Sequence, residues 1–367
     1  MSISIIHVIT TIDLGGAEKQ LLQLATKQQQ EGDEVKIVFL KNRPQLLKHF
    51  LANGVQVEME FSQMSFLKQV TKLRREHING HAVYHAHLPR AELLCALALS
   101  PKSFVVTRHN SESFFPKAPP IISRLLSRFV LRRAYASISI SRAVTDFLLA
   151  SKELSKRTIN EVVYYGLDDP TVKDRQSSVA KNNFFEIGTV ARLVPQKNLP
   201  LLINSIAELN QTKPATFHLK ILGIGPMRAE LKLLAKNLGV AHLVDFQAQS
   251  EDVMNFYKSL NLFVLTSNYE GFGLVLLEAM SAGVVVVARN ISAIPEVLGN
   301  NHPGLFNSDN PEELAMKIWE LLSDANHFNK CLLYQSQQLN NFSIDKTTLA
   351  HKKIYTKLLE QKVFTTK

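Results

Sequence analysis

Two glutamates in NYEGFGLVLLEAMSAG (268–283) stand with seven residues between them, Glu270 in a turn and Glu278 on the helix that follows it. The apolar run Leu262–Leu265 precedes the turn and reads as a strand. A helix start leaves backbone N–H groups unpaired and carries the positive end of the helix dipole. Phe272, Gly273 and Leu274 therefore offer a place for phosphate. Eight positions make a little over two helical turns, so both carboxylates can face one ligand. A carboxylate beside a phosphate site is suited to accepting hydrogen bonds from ribose or sugar hydroxyls. A capping glutamate followed by a surface glutamate would leave the same pattern.

GTVARLVPQKN (188–198) places Arg192 and Lys197 just after a second apolar strand. An arginine fork and a lysine point charge at a strand end suit a diphosphate, although solvated loop cations look alike in sequence. LGGAE (14–18) follows the first strand, and Gly15 and Gly16 either let a ligand approach the backbone or serve a tight turn. It is neither G-x-G-x-x-G nor a Walker loop. Seven of the 12 histidines precede residue 110. His85, His87 and His109 sit at two adjacent strand ends, where a metal trio is conceivable and a sugar contact from His109 is the better fit. Arg124, Arg128 and Arg132 share one face of a helix over 121–133, with Leu125, Leu126, Phe129 and Val130 around the other side. That pattern fits either an anionic lipid surface or a solvated face. Gly223 and Gly225, in GIGP, only partly resemble a dinucleotide fingerprint.

These residues need a frame, and the chain repeats one twice: apolar strand, Gly-containing turn, amphipathic helix. The first series predicts strands at Ile3–Thr10, Glu34–Leu40, Ala82–Ala86 and Phe104–Thr107, and the second at Phe185–Val190, His218–Leu222, Leu262–Leu265 and Val284–Ala288. Strands alternating with helices imply parallel sheets, with ligands beyond the carboxyl ends of the strands. The expected division is a first domain over 1–168, a polar linker over 169–183, a second domain over 184–342 and a closing helix over 343–367. Whether that helix crosses back to the first domain is left open.

At 367 residues with 46% hydrophobic and 20% charged side chains, the composition excludes a disordered chain. No apolar run approaches the roughly 18 residues of a membrane span. Met1–Thr10 reads as a first strand, not a signal peptide. Cys95 and Cys331, far apart, fit buried thiols in a reduced compartment. The net charge of +10 points to an anionic partner, and most of it sits in residues 1–170, with 22 basic and 15 acidic residues.

With GGAE (15–18), TRH (107–109), RLVPQKN (192–198), LGIGP (222–226) and EGFGLVLLEAM (270–280), the chain resembles glycosyltransferase family 4 over nearly its whole length. These are retaining enzymes of the GT-B fold. The resemblance implies two Rossmann-like, doubly wound parallel-sheet domains facing across a cleft. It implies transfer of a sugar from a nucleotide-diphosphate sugar, a UDP-sugar, to a hydroxyl of a saccharide or lipid-linked acceptor in cell-envelope polysaccharide synthesis. No metal or other cofactor is implied. The expected place is the cytoplasm, peripheral on the inner face of the membrane. By the same resemblance Arg192 and Lys197 hold the donor diphosphate, and Phe272, Gly273 and Leu274 offer backbone N–H groups to it. Glu270 contacts the donor sugar and Glu278 the ribose; Gly15 and Gly16 approach from the first domain, and His109 lies near the reacting sugar.

The chain departs from the family pattern at Phe246-Gln247-Ala248, at Gly283-Val284-Val285, at Ser292-Ala293 and at Asn261. These departures keep open a sugar-nucleotide binder that does not transfer. A nicotinamide oxidoreductase would want a full glycine fingerprint. A basic nucleic-acid-binding protein would want aromatics among its cations, and only 8% of residues are aromatic.

Overall fold

A computed structural model of the chain describes residues 2–78, 82–155, 158–171, 184–213, 217–248 and 252–365. Most of the expected linker, 172–183, lies outside the described residues. The chain forms two compact units, one of Met1–Asp168 with Phe342–Lys367, the other of Asp169–Asn341. Phe342 thus belongs with the first unit and not with the second, where the sequence boundary placed it.

The first unit holds seven parallel strands: β1 (Ser4–Ile9), β2 (Glu34–Phe39), β3 (Gln56–Glu58), β4 (Val83–His87), β5 (Phe104–Arg108), β6 (Ala136–Ser139) and β7 (Ile159–Val162), in the order β3-β2-β1-β4-β5-β6-β7. The second holds β8 (Phe185–Val190), β9 (Phe217–Leu222), β10 (Val244–Gln247), β11 (Leu262–Leu265), β12 (Val285–Arg289) and β13 (Leu305–Phe306), in the order β10-β9-β8-β11-β12-β13. Both are doubly wound: strand order reverses between β1 and β4, and between β8 and β11. The central strands are buried on both faces, as apolar runs such as LFVL and VVVAR require.

Helices α1 (Gly16–Gln30), α2 (Leu47–Ala52), α3 (Phe66–Ile78), α4 (Pro89–Ala98), α5 (Pro120–Arg133) and α6 (Arg142–Ala150) connect the first sheet. Helices α7 (Leu199–Thr212), α8 (Arg228–Asn237), α9 (Val253–Lys258), α10 (Leu274–Ser281), α11 (Ile294–Leu298), α12 (Pro311–Ser323) and α13 (Ala325–Leu339) belong to the second unit. The final helix, α14 (Ile344–Thr365), packs in the first unit, where Ile354, Tyr355 and Leu358 share a buried cluster with Ile3, Ile5, Val83, Val105 and Ile138. Burying Ile354 and Leu358 contributes about 1.5–3 kcal/mol each. The re-entry point is a short backbone splice: Leu167 donates to the Phe342 carbonyl and Ile344 to that of Leu167, both at 2.8 Å.

Helix α5 divides the apolar residues that the sequence grouped beside the arginines. Its inward face is Ser123, Ser127, Val130 and Leu131, and Leu125 and Phe129 point to solvent with Ile121 and Ile122. The inward serines serve polar partners: Ser123 accepts from Phe115 N at 2.9 Å, and Arg108 donates to Ser127 at 2.9 Å and also contacts Glu92 and Glu153.

Candidate active site

In the second unit the loops after β8 and β11 lie at the reversal of strand order, and four hydrogen bonds stitch them together. Asn268 N donates to the Gln196 carbonyl at 2.8 Å, and its side chain donates to that of Pro195 at 3.3 Å. The Gln196 side chain donates to the Tyr269 carbonyl at 3.0 Å, and the Thr266 hydroxyl to the Lys197 carbonyl at 2.9 Å. This stitching brings Lys197 Nζ to 2.7 Å from Glu270 Oε1, which also accepts from the Ser267 hydroxyl at 2.7 Å. The pair is mostly buried, with side chains 14% and 8% exposed. An ammonium has three donors, so the bond to Glu270 leaves Lys197 further capacity. Arg192 is exposed and bonds only weakly to Gln196, at 3.3 Å.

Helix α10 opens on Gly273, held left-handed at φ 91°, and no side chain caps it. Its first turn therefore presents backbone donors, Leu274 foremost. Phe272 is buried. Glu278, in the second turn, accepts from the Tyr257 hydroxyl at 2.8 Å. The buried phenol is held well above its usual range by burial and then by the Glu278 charge, so it remains a donor that orients the carboxylate. Tyr257 and Ser267 escaped the sequence reading, since single hydroxyls on apolar elements carry no spacing signal.

Gly223 and Gly225 have a structural reason. A Cβ at Gly223 would lie 1.9 Å from the Ala191 carbonyl oxygen, and one at Gly225 2.4 Å from that of Leu193. The two glycines brace the Arg192 loop by close backbone approach. The departures from the family pattern are similarly local. Asn261 sits before β11, at the amino end of the sheet, where its side chain accepts from Glu186 N at 2.7 Å. Ser292, at φ 53°, uses its hydroxyl to hold the Glu270 carbonyl at 2.8 Å.

In the first unit, a Cβ at Gly16 would meet nothing within 4 Å, and the residue is not in the left-handed region. Neither packing nor backbone demands a glycine there. At Gly15 a Cβ would collide with the Glu18 carboxylate, which folds back over the helix start and accepts from Thr11 at 2.9 Å. The histidines form a buried group. His85 is 0% exposed, with Nδ1 on the Tyr355 hydroxyl at 2.7 Å and Nε2 on that of Thr107 at 2.6 Å. It faces α14, through the Tyr355 hydroxyl. His87 bonds His7 at 2.9 Å and His109 at 3.2 Å. His109 bonds His87 and, through Nδ1, the Tyr165 hydroxyl, so both its ring nitrogens are engaged. Burial pushes His109 down to about 3 and His7 to about 4, so these rings are neutral. The cavity beside them, about 20 Å³, takes a water and not a sugar.

Comparison with known proteins agrees with this architecture. The family described as "Glycosyltransferase Family 4" matches residues 14–169, and "Glycosyl transferases group 1" matches residues 171–336. An uncharacterized glycosyltransferase of Methanocaldococcus jannaschii is 24% identical over 89% of this chain and 87% of that protein. A Campylobacter jejuni protein, named as the alpha-1,4-N-acetyl-D-galactosaminyltransferase acting on a GalNAc-alpha-(1->4)-GalNAc-alpha-(1->3)-diNAcBac-PP-undecaprenol, is 25% identical over 92% of this chain and 94% of its own. The fold matches a crystal structure of Anabaena HepE in complex with UDP and glucose, with a TM-score of 0.82 and 20% identity over 96% of this chain and 99% of that one.

Proposed function

The chain belongs to glycosyltransferase family 4, with the GT-B fold, and from that premise we propose that it moves a sugar from a UDP-sugar to a hydroxyl of a saccharide or lipid-linked acceptor, with retained configuration and without a metal. One observation carries the donor assignment: Arg192, the Lys197–Glu270 pair and the uncapped start of α10 converge at the strand-order reversal of the second unit. Arg192, Lys197 and the N–H groups of Gly273 and Leu274 meet the diphosphate, and the negative charge that grows on its β-phosphate as the sugar leaves is stabilised there. The departing phosphate takes the acceptor proton on the same face. Glu278, oriented by Tyr257, accepts from the ribose hydroxyls, and Glu270 from the sugar. Gly16 leaves room for a ligand group, which would explain a glycine that the protein itself does not require. The Campylobacter relative, which acts on an undecaprenol-linked saccharide, supports an acceptor of that class and a place in cell-envelope synthesis.

Calorimetric titration in EDTA checks the donor. UDP should bind, and Glu278→Ala should weaken it by about 1–3 kcal/mol, roughly 5- to 150-fold, by removing a charged acceptor. Equal binding of UDP, GDP and NAD, unaffected by Glu278→Ala, would refute the assignment.

We place the chain at an anionic membrane surface through α5. Ile121, Ile122, Leu125 and Phe129 are 63%, 50%, 57% and 38% exposed, and Arg124, Arg128 and Arg132 lie along the flank of that stripe. An exposed apolar stripe with basic flanks suits lying in a headgroup layer. No helix among the described residues is long and apolar enough to cross a membrane. In flotation with phosphatidylglycerol vesicles the protein should bind in a salt-sensitive way. The pair Leu125→Ser with Phe129→Ser should weaken this at least about tenfold. Equal flotation of wild type and variant would remove α5 from the interface.

A further inference from the structure

Five side chains from separate elements form one unbranched file through the first unit. Gln28 of α1 places Oε1 2.8 Å from His7 Nε2, in β1. His7 Nδ1 lies 2.9 Å from His87 Nε2, at the end of β4. His87 Nδ1 lies 3.2 Å from His109 Nε2, just beyond β5, and His109 Nδ1 meets the Tyr165 hydroxyl. Gln28, His7 and His87 are almost completely buried.

A neutral imidazole has one N–H and one bare nitrogen. Where every ring uses both nitrogens on the next ring, the proton positions are not independent. Only two arrangements satisfy all the bonds: every ring protonated on Nε2, or every ring protonated on Nδ1. The reversed Gln28 amide would put every proton of the file on Nδ1; with its carbonyl toward His7 the amide can only accept, which puts the His7 proton on Nε2. His87 must then donate from Nε2 to His7, His109 from Nε2 to His87, and the Tyr165 hydroxyl to His109 Nδ1. We propose that Gln28, His7 and His87 are positioning residues that fix the tautomer and ring plane of His109, holding Nδ1 as an acceptor toward hydroxyl groups. This rests on the family resemblance, which implies that His109 lies near the reacting sugar. A bare Nδ1 favours a hydroxyl donor, here Tyr165, and disfavours a carbonyl or phosphate oxygen.

A metal ion is the competing use of this cluster, because ring nitrogens of His7, His85 and His87 fall within 4.8 Å of one another. Every ring nitrogen of the three already has a hydrogen-bond partner in the protein. A metal would have to break several of these bonds, and no carboxylate in the group would offset its charge.

Two-bond 1H–15N correlation spectra of histidine-labelled protein distinguish protonated from bare ring nitrogens. His7, His87 and His109 should all be protonated on Nε2. In His87→Phe, His109 should become a mixture of tautomers, and kcat should fall about ten- to a hundredfold with donor KM little changed. His87→Gln, which can still accept from His109, should recover most of both. Gln28→Met tests the far end and should loosen the tautomer of His7 first. An unchanged His109 tautomer in His87→Phe, or a bound metal found by elemental analysis of the wild type, overturns the relay. If His109→Ala retains full transfer, the catalytic reading of His109 falls, and the spectra still judge the relay by themselves.

Discussion

Arg192→Ala is expected to lower kcat/KM for sugar transfer by about 10²–10³-fold, the usual cost of losing one preorganised donor to developing charge. Stability should hardly change, within about 0.5 kcal/mol, because Arg192 is exposed and its side-chain bond among the described residues, to Gln196, is 3.3 Å long. That contrast makes it a sharper probe than Lys197, whose removal would also strand the buried Glu270 carboxylate. Transfer kinetics with the donor varied, beside a melting curve, decide it. A folded variant with wild-type kcat/KM would take Arg192 out of the diphosphate site.

The second large effect concerns stability. Arg108 is 6% exposed and holds two buried carboxylates, Glu92 at 3.0 Å and Glu153 at 3.7 Å. Arg108→Met leaves both without their cation, at a cost of about 3–5 kcal/mol. For a unit of this size that lowers Tm by about 6–20 °C in a calorimetric scan. An unchanged Tm would mean that the carboxylates are compensated elsewhere. The same group is sensitive to pH. Burial pushes Glu92 up to about 7 against the opposing pull of Arg108. The contact between Arg108 Nε and Glu92 Oε2 lacks hydrogen-bond alignment, which explains why burial prevails. A carboxyl that holds its proton more tightly when folded stabilises fully below its unfolded pKa of about 4.5, and that contribution is lost as pH rises through about 7. Between about pH 4.5 and 7 the wild type should lose stability that Glu92→Gln keeps.

Residue pattern alone located the strands that position the donor site. Phe185–Val190 and Leu262–Leu265 are apolar runs closed by turns, and β8 and β11 have those limits. Strands β3, β6, β7, β10 and β13 went unseen because QVE, ASIS, INEV, VDFQ and LF are too short or too polar to show a period. The limits of the site were legible where spacing carries chemistry, as with Glu270 and Glu278. They were not legible where a partner arrives from a distant element: Tyr257 to Glu278, Tyr165 to His109. In helix α5 the inward place of Ser123 and Ser127 was not legible, since periodicity assumes an apolar interior and Arg108 makes this one polar.

The splice at Leu167 and Ser343 has a consequence for biosynthesis. The second unit is an insertion in the first, so α14 is translated only after all of β8–α13. At about 5–20 residues per second, the roughly 175 intervening residues take about 10–35 s. For that interval the nascent first sheet has Ile3, Ile5, Val83 and Val105 uncovered by Tyr355 and Leu358, and His85 waits for its Tyr355 hydroxyl. The inserted unit can complete its own core while its host cannot. The amino-terminal half of the polypeptide is therefore the part a ribosome-associated chaperone would have most reason to hold.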